Sequence, residues 1–515
     1  MDINSRTSKG GKNIFFSFFS YLVHILLEFI NRTIFIHILN VDYLGIHGLF
    51  GNILTILSLA ELGVGSAMNF ALYKPLAVQD NDKIKSLMQL YRSLYNIIGS
   101  IILVVGLIFL PFLPFLIKDS PKDIDNLYYY FIIYVLNTTV SYFWIYKKSL
   151  IICDQKEYIC STITIVLSVI RLISQILILY FTRSYMWYLL VMISFTLLEN
   201  IIVSYKADRL FPILLEKNVE KLDNKTKSEI KRNVLAMFAH KIGTTVVNAT
   251  DNIIISKFIG LGIVGIFSNY TIIINALSNL VNKVFSPLLA TVGNLSIMEN
   301  KEYVEKVFYK ILFINVWIRI ITSVCLLFAL NSFIHLWLGS DFLLSFDTVI
   351  LLVVCFYLRG IRITVLTFRD ATGLFWHDRY KPLLESFVNL VTSIPLAVYY
   401  GVTGVLLGTF ISIVTVSFWI EPYILFKYYF KKSMISYLKI QFIYFFELII
   451  IAFFNYFLFF IPEGNTSLFI IKLLVCFLLS NLIFICINYR KSEFEYVIQI
   501  VNRFYTYFKN MIKRE

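Results

Sequence analysis

Four polar side chains recur along one apolar stretch near the N-terminus. His24, Glu28 and Asn31 are spaced i, i+4 and i+7, and Arg32 follows Glu28 by four residues. Helical spacing of this kind places side chains on one face. Ionisable groups within apolar spans are costly and mark substrate or ion pathways. We therefore expect this face to line a water-filled cleft; the alternative is pairing within the helix, for instance Glu28 with Arg32.

A second polar stripe lies near the middle of the chain. Lys241, Thr245, Asn248 and Asn252 follow one another at i, i+4, i+7 and i+11, and Asp251 lies beside them. The same helical argument predicts that this stripe lines the cleft together with the first one.

The two stripes belong to an internal repeat with a shift of 217 residues. Residues 31–52 and 248–269 are identical at ten positions, including asparagine, threonine and glycine positions. The register pairs His24 with Lys241 and Asn31 with Asn248. Because six predicted spans separate the copies, the repeat is parallel. It predicts two six-helix lobes around an axis along the membrane normal, an arrangement that transporters use for alternating access.

Glycines within the second copy match the pattern G-x-G-x-x-G at Gly260, Gly262 and Gly265. A dinucleotide site needs a βαβ unit around this pattern, and the surrounding sequence is apolar and helical. We interpret these glycines as a short turn between two spans where helices pack closely.

Further charges lie in or near the predicted spans. Arg171 and Arg319 fall near mid-span and are candidate cleft cations, although each can instead bond carbonyls of a neighbouring helix. The other basic residues lie toward span ends, where long side chains extend to the interface. These residues are Lys257, Lys283, Arg359, Arg362 and Lys472.

Glu61 lies in the segment LSLAELGVGSAMNFALYKPLA, at the inner end of the second predicted span. Nearby glycines allow this helix to bend or to pack tightly. We expect Glu61 to form part of a cytoplasmic gate, through a salt bridge such as one with Lys283. The repeat register aligns Glu61 with Ser278 rather than with an acid.

Composition identifies the fold class as an all-α polytopic membrane protein. Of the 515 residues, 58% are hydrophobic and only 15% charged, against about 25% charged in soluble domains. Spans need about 20 apolar residues, and we place fourteen, which start near residues 13, 43, 89, 126, 159, 185, 234, 261, 307, 345, 383, 402, 437 and 467. The six cysteines are scattered, so neither disulfides nor a metal site is expected.

The Lys/Arg distribution orients these spans. Segments assigned to the cytoplasm carry 34 of the 46 basic residues, and segments assigned outside carry 3. This asymmetry predicts that both termini are cytoplasmic. The formal net charge of +14 is then a topology signal and requires no nucleic-acid partner.

The span map predicts five regions. They are an N-terminal six-helix lobe (1–205), a cytoplasmic linker (206–233), a C-terminal six-helix lobe (234–430), two additional transmembrane helices (431–489) and a basic amphipathic tail (490–515).

Several short motifs, in order, resemble a known family. They are AELGVGSAM at 60–68, YKPLA at 73–77, DNIIISKFIG at 251–260, TVGNL at 291–295 and GVTGVLLGTFIS at 401–412. This order resembles bacterial oligosaccharide flippases, the polysaccharide transporters of the multidrug/oligosaccharidyl-lipid/polysaccharide exporter superfamily. The resemblance covers roughly the first twelve predicted spans.

The resemblance implies a V-shaped pair of six-helix bundles that alternates between inward-open and outward-open states. The implied substrate is an undecaprenyl-pyrophosphate-linked oligosaccharide for O-antigen, capsule or exopolysaccharide synthesis. Phosphates need fixed cations in a shielded cleft, and sugars need hydrogen-bonding groups. Arg32 and Lys241 best fit a pyrophosphate clamp. Asp251, with Glu28 as a second candidate, would carry a coupling H⁺ or Na⁺.

The remaining cleft candidates, which would add cations or hydrogen-bonding groups, are His24, Asn31, Asn248, Arg171 and Arg319. Membrane lipids are expected partners, and a polysaccharide polymerase and glycosyltransferases are expected to act beside the protein. No cofactor other than the coupling ion is implied. The expected location is the bacterial cytoplasmic membrane.

Two other functions are considered. A multidrug and toxin extrusion transporter of the same superfamily should have an acidic cavity for cationic drugs, whereas the stripes here contain Arg32 and Lys241. A membrane-embedded polymerase or ligase needs a sizeable external loop and a nucleophile or metal constellation, and the sequence shows neither. We therefore expect a transporter and not an enzyme.

Overall fold

The protein is built from α-helices. The computed structural model describes residues 3–61, 63–118, 126–154, 156–216, 222–285, 288–374, 377–461, 465–499 and 502, and no strand occurs among them. Seventeen α-helices occur in this part of the chain. Those before residue 260 are α1 Ile3–Ile38, α2 Val41–Leu57, α3 Val64–Val78, α4 Asn81–Phe109, α5 Leu113–Leu116, α6 Leu127–Cys153, α7 Glu157–Thr182, α8 Tyr185–Leu210 and α9 Asn224–Phe258. Those after it are α10 Leu261–Phe285, α11 Leu288–Met298, α12 Lys301–Leu338, α13 Phe346–Ala371, α14 Lys381–Ser412, α15 Phe418–Ile424, α16 Ile435–Phe454 and α17 Thr466–Asn488.

Ten helical segments of the described chain are long and apolar enough to cross a membrane. This confirms the all-α polytopic class. Twelve of the fourteen predicted span starts fall within a helix, and the other two, 126 and 345, lie one residue before α6 and α13. The continuous segment Lys381–Phe430 contains two predicted spans, divided at Gly401, where φ is 59°. However, α2 is short, and α6 and α9 do not qualify as spans. The count of fourteen spans therefore stays a prediction.

Several helices are capped at the N-terminus by the side chain of the residue that precedes the helix. Asp80, Asp223 and Asn300 each accept a hydrogen bond from a backbone N–H three residues later, at 2.9 to 3.0 Å. Such caps satisfy one of the backbone donors that a helix start leaves unpaired. They fix where α4, α9 and α12 begin.

The chain forms two compact units, Met1–Gly265 and Ile266–Glu515. In the first unit α1 packs along α7, α6 packs between α4 and α8, and α9 contacts α2 and α3. The helix that carries the second polar stripe thus belongs to the first compact unit. The division into two six-helix lobes, a linker and two extra helices stays a prediction.

The second unit is organised around α12. This helix packs against α13, α16 and α17, and α13 contacts α11, α14 and α15. Its core is aromatic: Phe308, Phe313 and Phe368 are fully buried. The chain widens into π-helical turns at Ile413–Ser417 and at Leu425–Phe430, on either side of α15. Such turns often occur at functional positions.

Glycines allow the two repeat copies to touch. The end of α1 with the start of α2, and the end of α9 with the start of α10, form two helical corners. A methyl group at Gly45 would overlap the carbonyl group of Leu261, and one at Gly265 would lie 2.5 Å from the carbonyl oxygen of Val41. At Gly262 it would lie 2.9 Å from the Asp42 carboxylate. The expected close packing at Gly262 and Gly265 is therefore present.

Replacing Gly45 tests this close approach. Gly45→Ala forces a methyl group into the Leu261 backbone, and overpacking of this kind costs about 1–3 kcal/mol. We expect a lower Tm for the purified protein, measured with a thiol-reactive dye that detects exposure of the buried Cys153 and Cys160.

Gly51→Ala on the same helix is the matched control, because nothing lies within 4 Å of its added methyl group. Alanine there should leave Tm unchanged or raise it slightly. Equal Tm values for the two variants would contradict the close packing at Gly45.

Candidate functional site

The first polar stripe is divided between two environments. His24 and Glu28 approach to 3.9 Å, with side chains 56% and 46% exposed. One turn later, Asn31 Nδ2 donates to the Tyr188 hydroxyl at 2.7 Å. Arg32 is partly buried. The stripe therefore begins exposed and enters a more enclosed polar region at Asn31 and Arg32.

Arg171 lies close to that region. It is on α7, which packs along α1, the helix that carries Asn31 and Arg32. Arg171 is partly buried and makes no hydrogen bond or ion pair with any residue the structure describes. Two guanidinium groups predicted separately from sequence are thus on two helices that pack together, and we call Asn31, Arg32, Arg171 and Tyr188 the arginine region.

An aromatic wall adjoins the arginine region. Tyr185 and Tyr188 open α8, and Phe35 contacts both rings, at centroid distances of 5.7 and 5.2 Å. Tyr134 bonds the Tyr185 hydroxyl at 3.0 Å and also bonds the His47 ring. Sequence reasoning missed this wall. The sequence does contain a signal, because tyrosines at positions i and i+3 begin α8. However, tyrosines near span ends are typical of interfacial anchors, so they did not indicate a site.

Glu61 forms hydrogen bonds with two tyrosines of the first unit. Its carboxylate accepts hydrogen bonds from Tyr95 at 2.8 Å and from Tyr142 at 2.9 Å. The carboxylate therefore links the segment after α2 to α4 and α6. The proposed gate between Glu61 and Lys283 stays a prediction; Lys283 is partly buried in the last turn of α10.

The second polar stripe lies on α9. Asp251 and Thr245 are partly buried on this helix. The side chains of Lys241 and Asn248 fall outside the described part of the structure, so their predicted roles stay predictions.

Arg319 is a buried cation in the second unit. Its side chain is on α12 and 1% exposed, Nη2 donates to Asn282 at 3.2 Å, and the guanidinium lies 4.9 Å from the Phe356 ring centre. Its Nε has no partner in the described structure. Gly360 makes room for this side chain, because a methyl group there would overlap it.

Two basic residues expected to extend to the interface are buried instead. Lys472 is 3% exposed, and its ammonium group donates to Ser332 at 2.8 Å, which joins α17 to α12. Arg362 donates to both oxygens of Glu421, at 2.9 and 2.6 Å. The snorkelling prediction is wrong for both, because each has a polar partner inside the helix bundle.

Arg362 belongs to a buried charge network with Lys381, Glu385 and Glu421. Lys381 bonds Glu385 and Glu421, each at 2.7 Å, and Arg362 also approaches Glu385 at 3.6 Å. None of the four side chains is more than 12% exposed. Two cations balance two anions, so the network joins α13, α14 and α15 without net charge. Sequence reasoning missed both glutamates: Glu421 is 59 residues from Arg362, and Glu385 lies only four residues after Lys381 but was not considered.

Removing one carboxylate tests this network. Glu421→Gln leaves Arg362 and Lys381 with one anion, and breaking a buried pair costs roughly 3–5 kcal/mol. We expect a marked fall in Tm in the same thiol-dye measurement, which here follows the buried Cys355 and Cys476.

The control is Glu299→Gln, which changes an exposed glutamate of the same unit after α11. It should leave Tm nearly unchanged. If both variants melted alike, the network would have no structural importance.

No group of three or more metal-ligating side chains occurs among the described residues. In the same residues all six cysteines are free.

Comparison with known proteins agrees with this architecture. A family model described as polysaccharide biosynthesis protein matches residues 11–291. No curated protein sequence matches the chain at a significant level.

Solved structures of membrane transporters share the fold. The lipid II flippase MurJ, in an inward closed conformation, superposes with a TM-score of 0.66 and 17% identity, over 92% of this chain and 98% of that one. An inward-facing multidrug resistance MATE family transporter of the MOP superfamily gives 0.59 and 15%, over 79% and 94%. The Vibrio cholerae MATE transporter VcmN gives 0.58 and 14%, over 84% and 99%.

Proposed function

The chain belongs to the polysaccharide biosynthesis protein family, and from this premise we propose that it is a flippase. Its substrate would be an undecaprenyl-pyrophosphate-linked oligosaccharide repeat unit, moved from the inner to the outer leaflet by alternating access. The glycan would enter O-antigen, capsule or exopolysaccharide synthesis. The transporter fold supports this proposal.

The observation that carries the proposal is the arginine region. An arginine without a partner is costly within an apolar span, and such residues mark substrate pathways. Arg171 has no hydrogen-bond or ion-pair partner in the described structure, and its helix α7 packs along α1, which carries a second cation, Arg32. Two cations on adjacent helices would favour an anion with more than one negative charge. A pyrophosphate fits this requirement.

The neighbouring groups suit the rest of such a substrate. Guanidinium groups bind phosphate oxygens through paired N–H donors. The aromatic wall behind them offers hydroxyls for sugar hydrogen bonds and ring faces for apolar sugar surfaces. Asn31, already bonded to Tyr188, adds an amide. His24, Lys241 and Asn248 are proposed to extend the same surface, as the repeat register suggests.

Arg319 is proposed as a further substrate-binding cation. Its Nε is unsatisfied, and its bond to Asn282 is its one hydrogen bond in the described structure. A buried guanidinium with an unsatisfied N–H can donate a hydrogen bond to a phosphate or sugar oxygen.

Ion coupling is proposed for Asp251 and Glu28. Both are carboxylates on polar stripes, and either can take up H⁺ or Na⁺ as the transporter changes state. We further propose that Glu61 exchanges its tyrosine partners for Lys283 when the cytoplasmic side closes.

The proposed setting is the bacterial cytoplasmic membrane, with both termini in the cytoplasm. Membrane lipids surround the protein, and glycosyltransferases and a polymerase act before and after it.

Substitution of the two arginines tests the function. In a strain that lacks the gene, Arg171→Ala and Arg32→Ala should each restore surface glycan at least tenfold less well than the wild type, since a hydrogen bond to a charged group contributes about 1.5–3 kcal/mol. Lipid-linked precursor should accumulate, as measured by mass spectrometry of extracted lipids.

The matched control is Arg183→Ala, which removes an exposed arginine that follows α7. It should restore glycan fully. Full restoration by Arg171→Ala and Arg32→Ala at equal protein levels would exclude the arginine region as the substrate site. Normal glycan together with increased sensitivity to cationic drugs in the deletion strain would instead identify a drug exporter, the alternative that the MATE-like fold keeps open.

Reporter fusions test the orientation. A phosphatase fused after Ser184 should be active, because the positive-inside pattern assigns that turn outside, and one fused after Lys225 should be inactive. A β-galactosidase fused at the same positions provides the reciprocal control. Activity of the phosphatase at Lys225 would reverse the proposed topology.

A further inference from the structure

A basic cavity lies at the end of α15 and the start of α16, apart from the arginine region and the buried charge network. It has a volume of about 670 Å³ and is lined by Tyr423, Phe426, Lys427, Lys431, Lys432, Ser433, Met434 and Ile435. All eight residues belong to the second unit. None of them is acidic, so the lining itself is strongly cationic.

The three lysines differ in whether a carboxylate already balances their charge. Lys432 pairs with Glu305 at 2.5 Å, and this hydrogen bond and charge raise the pKa of Lys432. Lys427 donates to the Tyr423 hydroxyl at 2.5 Å, a neutral partner. Lys431 is exposed and makes no hydrogen bond or ion pair with a described residue. The cavity therefore keeps two ammonium charges, those of Lys427 and Lys431, that no carboxylate of the described residues balances.

The backbone adds to the positive potential. Lys431 has a left-handed φ of 56°, which ends the π-helical turn and reverses the chain toward α16. At the start of α16, a helix of 20 residues, the Ser433 hydroxyl accepts a hydrogen bond from the Ile435 N–H at 3.3 Å, and Met434, the residue before the helix, adds no side-chain bond. The N-terminal amides of a helix attract anions, and here they lie beside the lysines.

The surface around the cavity is apolar. Phe426 is 1% exposed, whereas Tyr423 and Ile435 are 43% and 58% exposed at its edge. Further along α16, Phe442 and Phe446 remain more than half exposed. An exposed apolar face on a candidate span faces lipid. The cavity thus places unneutralised cations where a membrane-facing surface begins.

We propose that this cavity binds the phosphate of an anionic phospholipid from the surrounding bilayer, with Lys427 and Lys431 on the headgroup and the acyl chains along α16. Basic pockets beside spans suit anionic headgroups because the charge and the apolar surface are satisfied together. Free inorganic phosphate would satisfy only the charge. The site is independent of the proposed substrate and of flipping.

Lipid titration of the purified full-length protein tests the proposal. The Tm is followed in mild detergent as dioctanoyl phosphatidylglycerol, dioctanoyl phosphatidylcholine or sodium phosphate is added, at constant ionic strength. We expect saturable stabilisation by phosphatidylglycerol, and none by the other two. In the double variant Lys427→Gln/Lys431→Gln, the half-saturating concentration should rise about 25-fold, since each basic residue contributes about fivefold near an anionic lipid surface.

Lys306→Gln is the control, because Lys306 is an exposed lysine of the same unit outside the cavity. It should bind phosphatidylglycerol like the wild type. If the double variant folds poorly without lipid, Lys431→Gln alone is used, because that side chain has no partner among the described residues. The half-saturating phosphatidylglycerol concentration should then rise about fivefold. Equal stabilisation by sodium phosphate would assign the cavity to a free anion. Unchanged binding in the cavity variants, or equal loss in Lys306→Gln, would overturn the proposal.

Discussion

A charged side chain among apolar helices needs an opposite charge or a hydrogen-bond partner. This requirement determines how the charged residues of both units are arranged. Removing a charged side chain from water is costly unless opposite charges or hydrogen bonds replace the water. The second unit meets this requirement with a neutral network, in which Arg362 and Lys381 face Glu385 and Glu421. The first unit contains Arg171, which has no such partner in the described structure. From that difference we infer that the network holds helices together, and we propose that Arg171 is available to a substrate.

The surrounding structure supports this distinction. The buried network joins three helices, and π-helical turns lie on both sides of α15, the helix that carries Glu421. In the arginine region, in contrast, Arg171 makes no hydrogen bond or ion pair with a described residue. We propose that its charge is therefore available for an anion. At the glycine corners near Gly45 and Gly265, the repeat copies approach so closely that side chains are excluded.

Much of the fold could be predicted from sequence, because apolar length and helical spacing are local properties. The helices follow from residues near one another in the chain. The repeat was found by comparing two segments 217 residues apart, and the glycines within it indicated close packing without identifying the neighbours Val41 and Asp42. The partner of a charged side chain cannot be predicted from local sequence. Arg362 and Glu421 are 59 residues apart, and Lys472 and Ser332 are 140 apart. Sequence alone gave these cations no visible partner, so an interfacial position was the simpler expectation. The two tyrosines that donate hydrogen bonds to Glu61 lie on α4 and α6, so the sequence around Glu61 could not identify them.

The central claim is that the arginine region recognises a pyrophosphate. The most direct measurement is binding of undecaprenyl pyrophosphate, undecaprenyl phosphate and undecaprenol to the purified full-length protein, for the wild type and for Arg171→Ala. The account predicts that the wild type binds the pyrophosphate most tightly, that rising salt weakens this binding, and that Arg171→Ala removes the preference. Equal affinity for all three lipids, or an unchanged preference in Arg171→Ala, would contradict it.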